Sequence, residues 1–164
     1  MSRLFALALA AVTVSAQPAR TDTEVSRRYA VVTIQPSKTS IYIGSVTLNL
    51  HPLIRLDQEY SAVYTATVFP YFFYDETGRV TIKIPDEALL RVAKGEAVDF
   101  AGKGLSDEGE ERRIEGRATP TGPDAGRIKV RIYVSKRIAL IFNTTYRIDG
   151  AQAPAPTTES RRNE

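Results

Sequence analysis

Arg127-Ile128-Lys129-Val130-Arg131-Ile132-Tyr133-Val134 (RIKVRIYV, residues 127–134) decides the fold class. Ile128, Val130, Ile132 and Val134 alternate with Arg127, Lys129, Arg131 and Tyr133. Side chains of a strand point to opposite faces in turn, so this is a strand with an apolar inner face and a charged outer one. Residues 138–148 continue the theme, with Ile138, Leu140, Phe142, Tyr146 and Ile148 in one phase. Ser135-Lys136-Arg137 between them reads as a turn, or as the bend of one long strand, because Ser-Lys is a poor tight-turn pair.

Upstream the same period recurs. Val31 to Gln35 is a short apolar segment, and Ile41 to Leu50 reads as one β-branched strand in which Gly44 marks a bulge or a close backbone approach. Tyr60 to Tyr74 is long but holds Pro70, which cannot donate to a central ladder. Asp75 to Gly78 reads as a four-residue turn, followed by strand Arg79 to Ile84 with Val80, Ile82 and Ile84 in phase. Ala97 to Lys103 is a strand, Asp107-Glu108-Gly109 a hairpin turn, and Glu111 to Ala118 a charged strand facing solvent or near an edge. Thr119 to Gly126 is a loop by composition.

The period changes once. Residues 86–94 read as a short helix, with Asp86 as its cap, Leu89, Val92 and Ala93 on one face, and Lys94-Gly95 as its end. Alone it is too short to persist in water, so its apolar face must rest on a sheet or over a barrel end. About eight strands and one helix in an antiparallel meander predict an all-β fold, a β-sandwich or a small β-barrel. An outer-membrane barrel is disfavoured: Arg112 shares a face with Ile114, a helix interrupts the strands, and the chain ends in a polar tail.

Met1 to Ala16 has the pattern of a cleaved secretory signal peptide: Arg3, an uncharged apolar run from Leu4 to Val14, then Val14-Ser15-Ala16 before the cut. The run is shorter than the roughly 20 residues a spanning helix needs. Residues 17–28 and 149–164 are polar and read as a flexible segment and a disordered tail, leaving a single β domain over 29–148. At about 120 residues such a domain can bury enough surface to stand without staples. It must, because the chain has no cysteine. That also removes disulfides, thiolate chemistry and cysteine-held metals.

Candidate chemistry is sparse. The net charge of +3 is mild and does not call for nucleic acid. His51 is the sole histidine, and Asp57 and Glu59 near it make a poor ligand set. No nucleophile turn or phosphate loop is present. Asn143-Thr144-Thr145 matches a glycosylation sequon by chance, inside a strand. Two features stand out as a possible partner surface. One is the aromatic run Phe69 to Tyr74, in which Tyr71 and Phe73 face a partner unless one set of rings fills the core and the helix covers the other, which is the expected arrangement. The other is the basic strip Arg127, Lys129 and Arg131, in which Glu115 opposes Lys129 or Arg131.

These readings lead to an expectation of a non-catalytic domain, periplasmic or secreted, without a cofactor or metal. It would bind or scaffold in the bacterial cell envelope, its partner a protein or an anionic envelope component, and would not span the membrane once the leader is cut. The alternatives are a carboxylate-based hydrolase with a cleft site and an interaction subunit of an envelope assembly that uses the aromatic run.

Overall fold

The computed structural model describes residues 27–150. The expected leader lies outside them, as do residues 17–26 and 151–164 of the two expected flexible ends. The strands are β1 (Val31–Ile34), β2 (Ser37–Ile41), β3 (Gly44–Leu50), β4 (Leu53–Leu56), β5 (Glu59–Phe69), β6 (Glu76–Lys83), β7 (Val98–Ser106), β8 (Glu111–Pro120), β9 (Ala125–Tyr133) and β10 (Ala139–Ile148). Helix α1 (Asp86–Ala93) joins β6 to β7.

The strands form an antiparallel sheet that closes on itself where β5 pairs with both β4 and β6. Pro36 and Pro52 explain why ten strands occupy eight wall positions. Each proline lacks an N–H, and each sits in a break, between β1 and β2 and between β3 and β4. The two halves of each broken strand keep their neighbours: β1 pairs with β4 and β2 with β3. Of the two expected architectures, the chain is therefore an eight-stranded up-and-down barrel. Residues 127–148 form a hairpin and not one bent strand, with Ala139 opposite Tyr133.

The alternation read from RIKVRIYV is the barrel's inside and outside. Ile128 is buried and Val130 and Ile132 face the interior, while Arg127, Lys129 and Arg131 are exposed. On β9 the charged outer face and apolar inner face are the reverse of the lipid-facing pattern. No helix among the described residues is long and apolar enough to cross a membrane.

Three interior rings share one packing device. Tyr64, Phe100 and Tyr146 each stand directly across the ladder from a glycine, Gly78, Gly116 and Gly126 respectively. A Cβ on those glycines would come within 2.9, 2.2 and 2.5 Å of the facing ring. The rings thus lie flat along the wall, which eight strands of bulky side chains would not allow.

Helix α1 closes one end. Leu89 is buried among Tyr29, Leu53, Tyr60, Phe100, Ile128 and Ile148, and Val92 packs beside it. Full burial of a leucine side chain contributes about 1.5–3 kcal/mol. Ala93 is exposed rather than packed, whereas Leu89 is buried and Val92 partly so. Asp86 is not the cap: Pro85 holds that position, and the Asp86 carboxylate accepts from Arg55 at 2.7 Å instead. Glu96 N–H reaches Arg91 C=O and Gly95, at φ +83°, bonds Val92, so the helix stops at the glycine as expected.

Four boundaries differ from the sequence reading. Ile41 to Leu50 is a tight hairpin with Tyr42 and Ile43 at its tip; a Cβ on Gly44 would lie 2.0 Å from Phe69 O, the close approach anticipated there. The turn expected at Asp75 to Gly78 falls earlier. Phe72–Tyr74 make one turn of 3-10 helix, and Glu76 already pairs with Ala66, so Gly78 lies inside β6. The loop at 119–126 shrinks, since Pro120 and Gly126 are still paired. The charged strand β8 is not an edge; it pairs on both sides, and Arg112, Ile114, Gly116 and Ala118 face inward.

Candidate functional site: an apolar cup with one internal ion pair

The end of the barrel away from α1 is not filled. A cavity of about 920 Å³ runs down between the strands, lined by Val46, Leu48, Val80, Ile114, Val130, Ile132, Leu140 and Phe142 among others. These are the inward phases of β3, β6, β8, β9 and β10. Small-molecule sites occupy roughly 300–1,000 Å³ and are mostly apolar with a few placed polar groups. An eight-stranded barrel is of the width that can hold one such molecule.

Three of the polar groups on the lining are joined by hydrogen bonds. Arg112 on β8 donates from Nη2 to Glu76 Oε2 at 2.8 Å, and Tyr64 on β5 donates its hydroxyl to Glu76 Oε1. All three line the cavity. Their position follows from the chain. Glu76 opens β6 and Arg112 lies one residue into β8, so both sit just inside the mouth. Gly104 of β7 faces Arg112 and separates the two strands without a side chain, which leaves the interior clear for the pair to meet. Arg112 also donates from Nη1 to Val134 C=O at 3.2 Å and Glu110 Oε2 at 3.4 Å. The bond to Glu76 raises Arg112 above its usual guanidinium range against the opposing effect of burial. Burial, then the bond to Glu76, keeps the Tyr64 phenol protonated well above its ordinary range.

Among the described residues, the exposed aromatics gather at the mouth. Tyr42 is fully exposed at the β2–β3 tip, and Phe72, Phe73 and Tyr74 stand out on the β5–β6 turn. The expected arrangement of those rings, one set in the core and one under the helix, is overturned, because the run lies at the opposite end of the barrel from α1. Phe73 is 76% exposed and meets Tyr71 edge to face at 5.8 Å, and both line the cavity entrance. The wall has a seam at this end. Above Asn143, β10 pairs only with β9 among the described residues, and Ser40, Ile41 and Leu140 flank the gap while lining the cavity.

The five residues singled out as a possible partner surface do not form one surface. Tyr71 and Phe73 belong to the mouth, whereas Arg127, Lys129 and Arg131 project from the outer face of β9. Arg131 is the residue opposite Glu115, and Lys129 stands opposite Arg117. Glu115 accepts from the Tyr133 hydroxyl and pairs with Arg113, whose guanidinium lies 3.8 Å over the Tyr133 ring. His51 is exposed at the β3–β4 break, and Glu59 pairs with Lys83. Among the described residues no three His, Cys, Asp or Glu side chains gather to hold a metal.

Tyr64, Glu76 and Arg112 went unrecognised as a group from sequence. The signal was present in the phase of β6: counting back by twos from Ile82 and Val80 passes Gly78 and reaches Glu76. The turn assigned to Asp75–Gly78 hid it. No family model matches the chain, and it has no significant match to a curated protein or a solved structure.

Proposed function

We propose that this barrel is a non-catalytic, exported binding domain that encloses one small, mainly apolar molecule in its cup. The observation that carries the reading is the cavity of about 920 Å³, walled by aliphatic stripes and open at a rim of exposed aromatics. The apolar wall supplies the driving force for a poorly soluble guest, and few polar groups are present to orient it. A binder rather than a hydrolase is favoured by how Asp75 and Glu76 are held; Glu108, the third acid on the lining, lies exposed at the rim. Both oxygens of Glu76 are engaged by Tyr64 and Arg112, and Asp75 accepts from Val68 N–H at 2.7 Å. A paired-carboxylate mechanism needs one acid free to give a proton and another free to attack or activate water. Export rests on the leader pattern of residues 1–16, and the bacterial envelope is the setting it suggests. The outer strip Arg127, Lys129 and Arg131 would there give a weak preference for an anionic surface.

The test is to express the full chain, isolate it gently from cell fractions, and weigh it by native mass spectrometry. The expected species is the chain from Gln17 in the exported fraction, carrying one guest molecule or taking one up from an envelope lipid extract. A chain that keeps Met1 inside the cell would overturn the location. Turnover of a substrate with no retained guest would overturn the binding role.

A further inference from the structure

From the Tyr64–Glu76–Arg112 group we infer the chemical class of the guest: an uncharged amphiphile with a hydroxyl at its polar end, taken in preference to the carboxylate of the same chain. This rests on the binding-cup reading and specifies it further.

The argument is one of charge and of bonding capacity. Arg112 and Glu76 neutralise each other at 2.8 Å on a mainly apolar lining, while the other acids nearby, Asp75, Glu108 and Glu110, lie exposed at the rim. Their side chains are only 16% and 24% exposed, so solvent screens them weakly. A guest carboxylate brought to this pair would gain Arg112 and meet Glu76 at about the same range. Its lost hydration would go unrepaid, since burying a charge is recovered only by a partner that is not already neutralised. A guest ammonium would meet Arg112 beside Glu76 in the same way, and its attraction to Asp75, Glu108 and Glu110 is screened by solvent at the rim.

A hydroxyl has no such penalty and fits what remains. A guanidinium has five N–H donors, and Arg112 uses them on Glu76, Val134 and Glu110, which leaves two. A carboxylate offers about four lone-pair sites, of which Tyr64 and Arg112 occupy one each. A guest O–H can therefore donate to Glu76 and accept from Arg112 without breaking the pair. The position fixes the orientation. The group sits just inside the mouth, above the stretch walled by Val80, Ile114, Val130 and Phe142, so the hydroxyl stays near the rim and the tail goes down.

The test compares dodecanol with dodecanoate at neutral pH, each displacing a neutral naphthylamine fluorophore from the full chain. Dodecanol is expected to bind at least tenfold more tightly. Glu76→Gln, which leaves Arg112 with the longer contact to the exposed Glu110 at 3.4 Å, is expected to reverse the order. Dodecanoate binding as tightly as dodecanol to the unaltered protein would overturn the inference while leaving the cup reading intact. If neither ligand nor the fluorophore binds, the cup reading fails and the selectivity with it. Should Glu76→Gln not fold, the comparison on the unaltered protein decides the matter alone.

Discussion

Arg112 and Glu76 meet at 2.8 Å inside the barrel, from strands that are not neighbours in the sheet. The contact crosses β7 over Gly104, and so it ties three consecutive strands at the mouth. Removing Glu76 takes the acceptor from the Tyr64 hydroxyl and leaves Arg112 with the longer contact to the exposed Glu110 at 3.4 Å. Glu76→Ala is expected to cost about 2 kcal/mol, below the 3–5 kcal/mol of a fully buried pair because both groups keep some exposure. The double variant Glu76→Leu with Arg112→Met is expected to recover most of that. Urea unfolding measures both, and a double variant no better than Glu76→Ala alone would refute the pairing.

Two buried tyrosines make a contrast. The Tyr60 hydroxyl donates to Tyr29 C=O at 2.7 Å, whereas the Tyr146 hydroxyl has no hydrogen-bond partner among the described residues. Tyr60→Phe strands a buried carbonyl and is expected to cost about 1–3 kcal/mol. Tyr146→Phe removes an unpaired group and is expected to be neutral or stabilising. Thermal unfolding of the two variants side by side checks the order.

The glycines under the rings admit a matched test. Gly116→Ala would place a Cβ 2.2 Å from the Phe100 ring and force it off the wall, at about 1–3 kcal/mol. At Gly122 nothing lies within 4 Å of such a Cβ, so Gly122→Ala is expected to leave stability unchanged. Equal effects would show that the ring does not lie on Gly116.

Alkali should loosen the barrel in a defined window. Burial raises the phenols of Tyr60, Tyr64 and Tyr146 above their ordinary 10.0, Tyr146 to about 12. Above pH 10 the unfolded chain has released protons that the native chain still holds, so stability falls as pH rises. Stability is therefore expected to be flat up to about pH 9 and to decline between about 10 and 12. Phenolate absorbance followed with circular dichroism reads this directly: the buried Tyr60, Tyr64 and Tyr146 should ionise only as the fold is lost.

How far the sequence spoke depended on the phase of each strand. Residues 127–134 were legible because nothing interrupts the alternation, and so was α1, where Leu89 and Val92 keep helical spacing between acids and a glycine. Closure into a barrel was not legible, because it depends on β5 pairing at both its edges, a long-range fact that no local pattern encodes. The cup went unseen for a related reason. An aliphatic stripe looks the same whether it meets an opposing sheet or lines a void, and only the width set by eight strands separates the two. The ion pair was missed at a single residue: a strong turn composition at Asp75–Gly78 masked Glu76 as a strand residue in register with Ala66.

The central claim is that the interior of the barrel is a site. Leu140 and Ile141 are neighbours on β10; Leu140 lines the cavity and Ile141 faces out. Titration of the neutral naphthylamine fluorophore into the unaltered protein, Leu140→Trp and Ile141→Trp tests the claim most directly. One bound fluorophore is expected for the unaltered protein and for Ile141→Trp, and at least a tenfold loss for Leu140→Trp with its circular-dichroism spectrum unchanged. Undiminished binding by Leu140→Trp, or none by the unaltered protein, would contradict it.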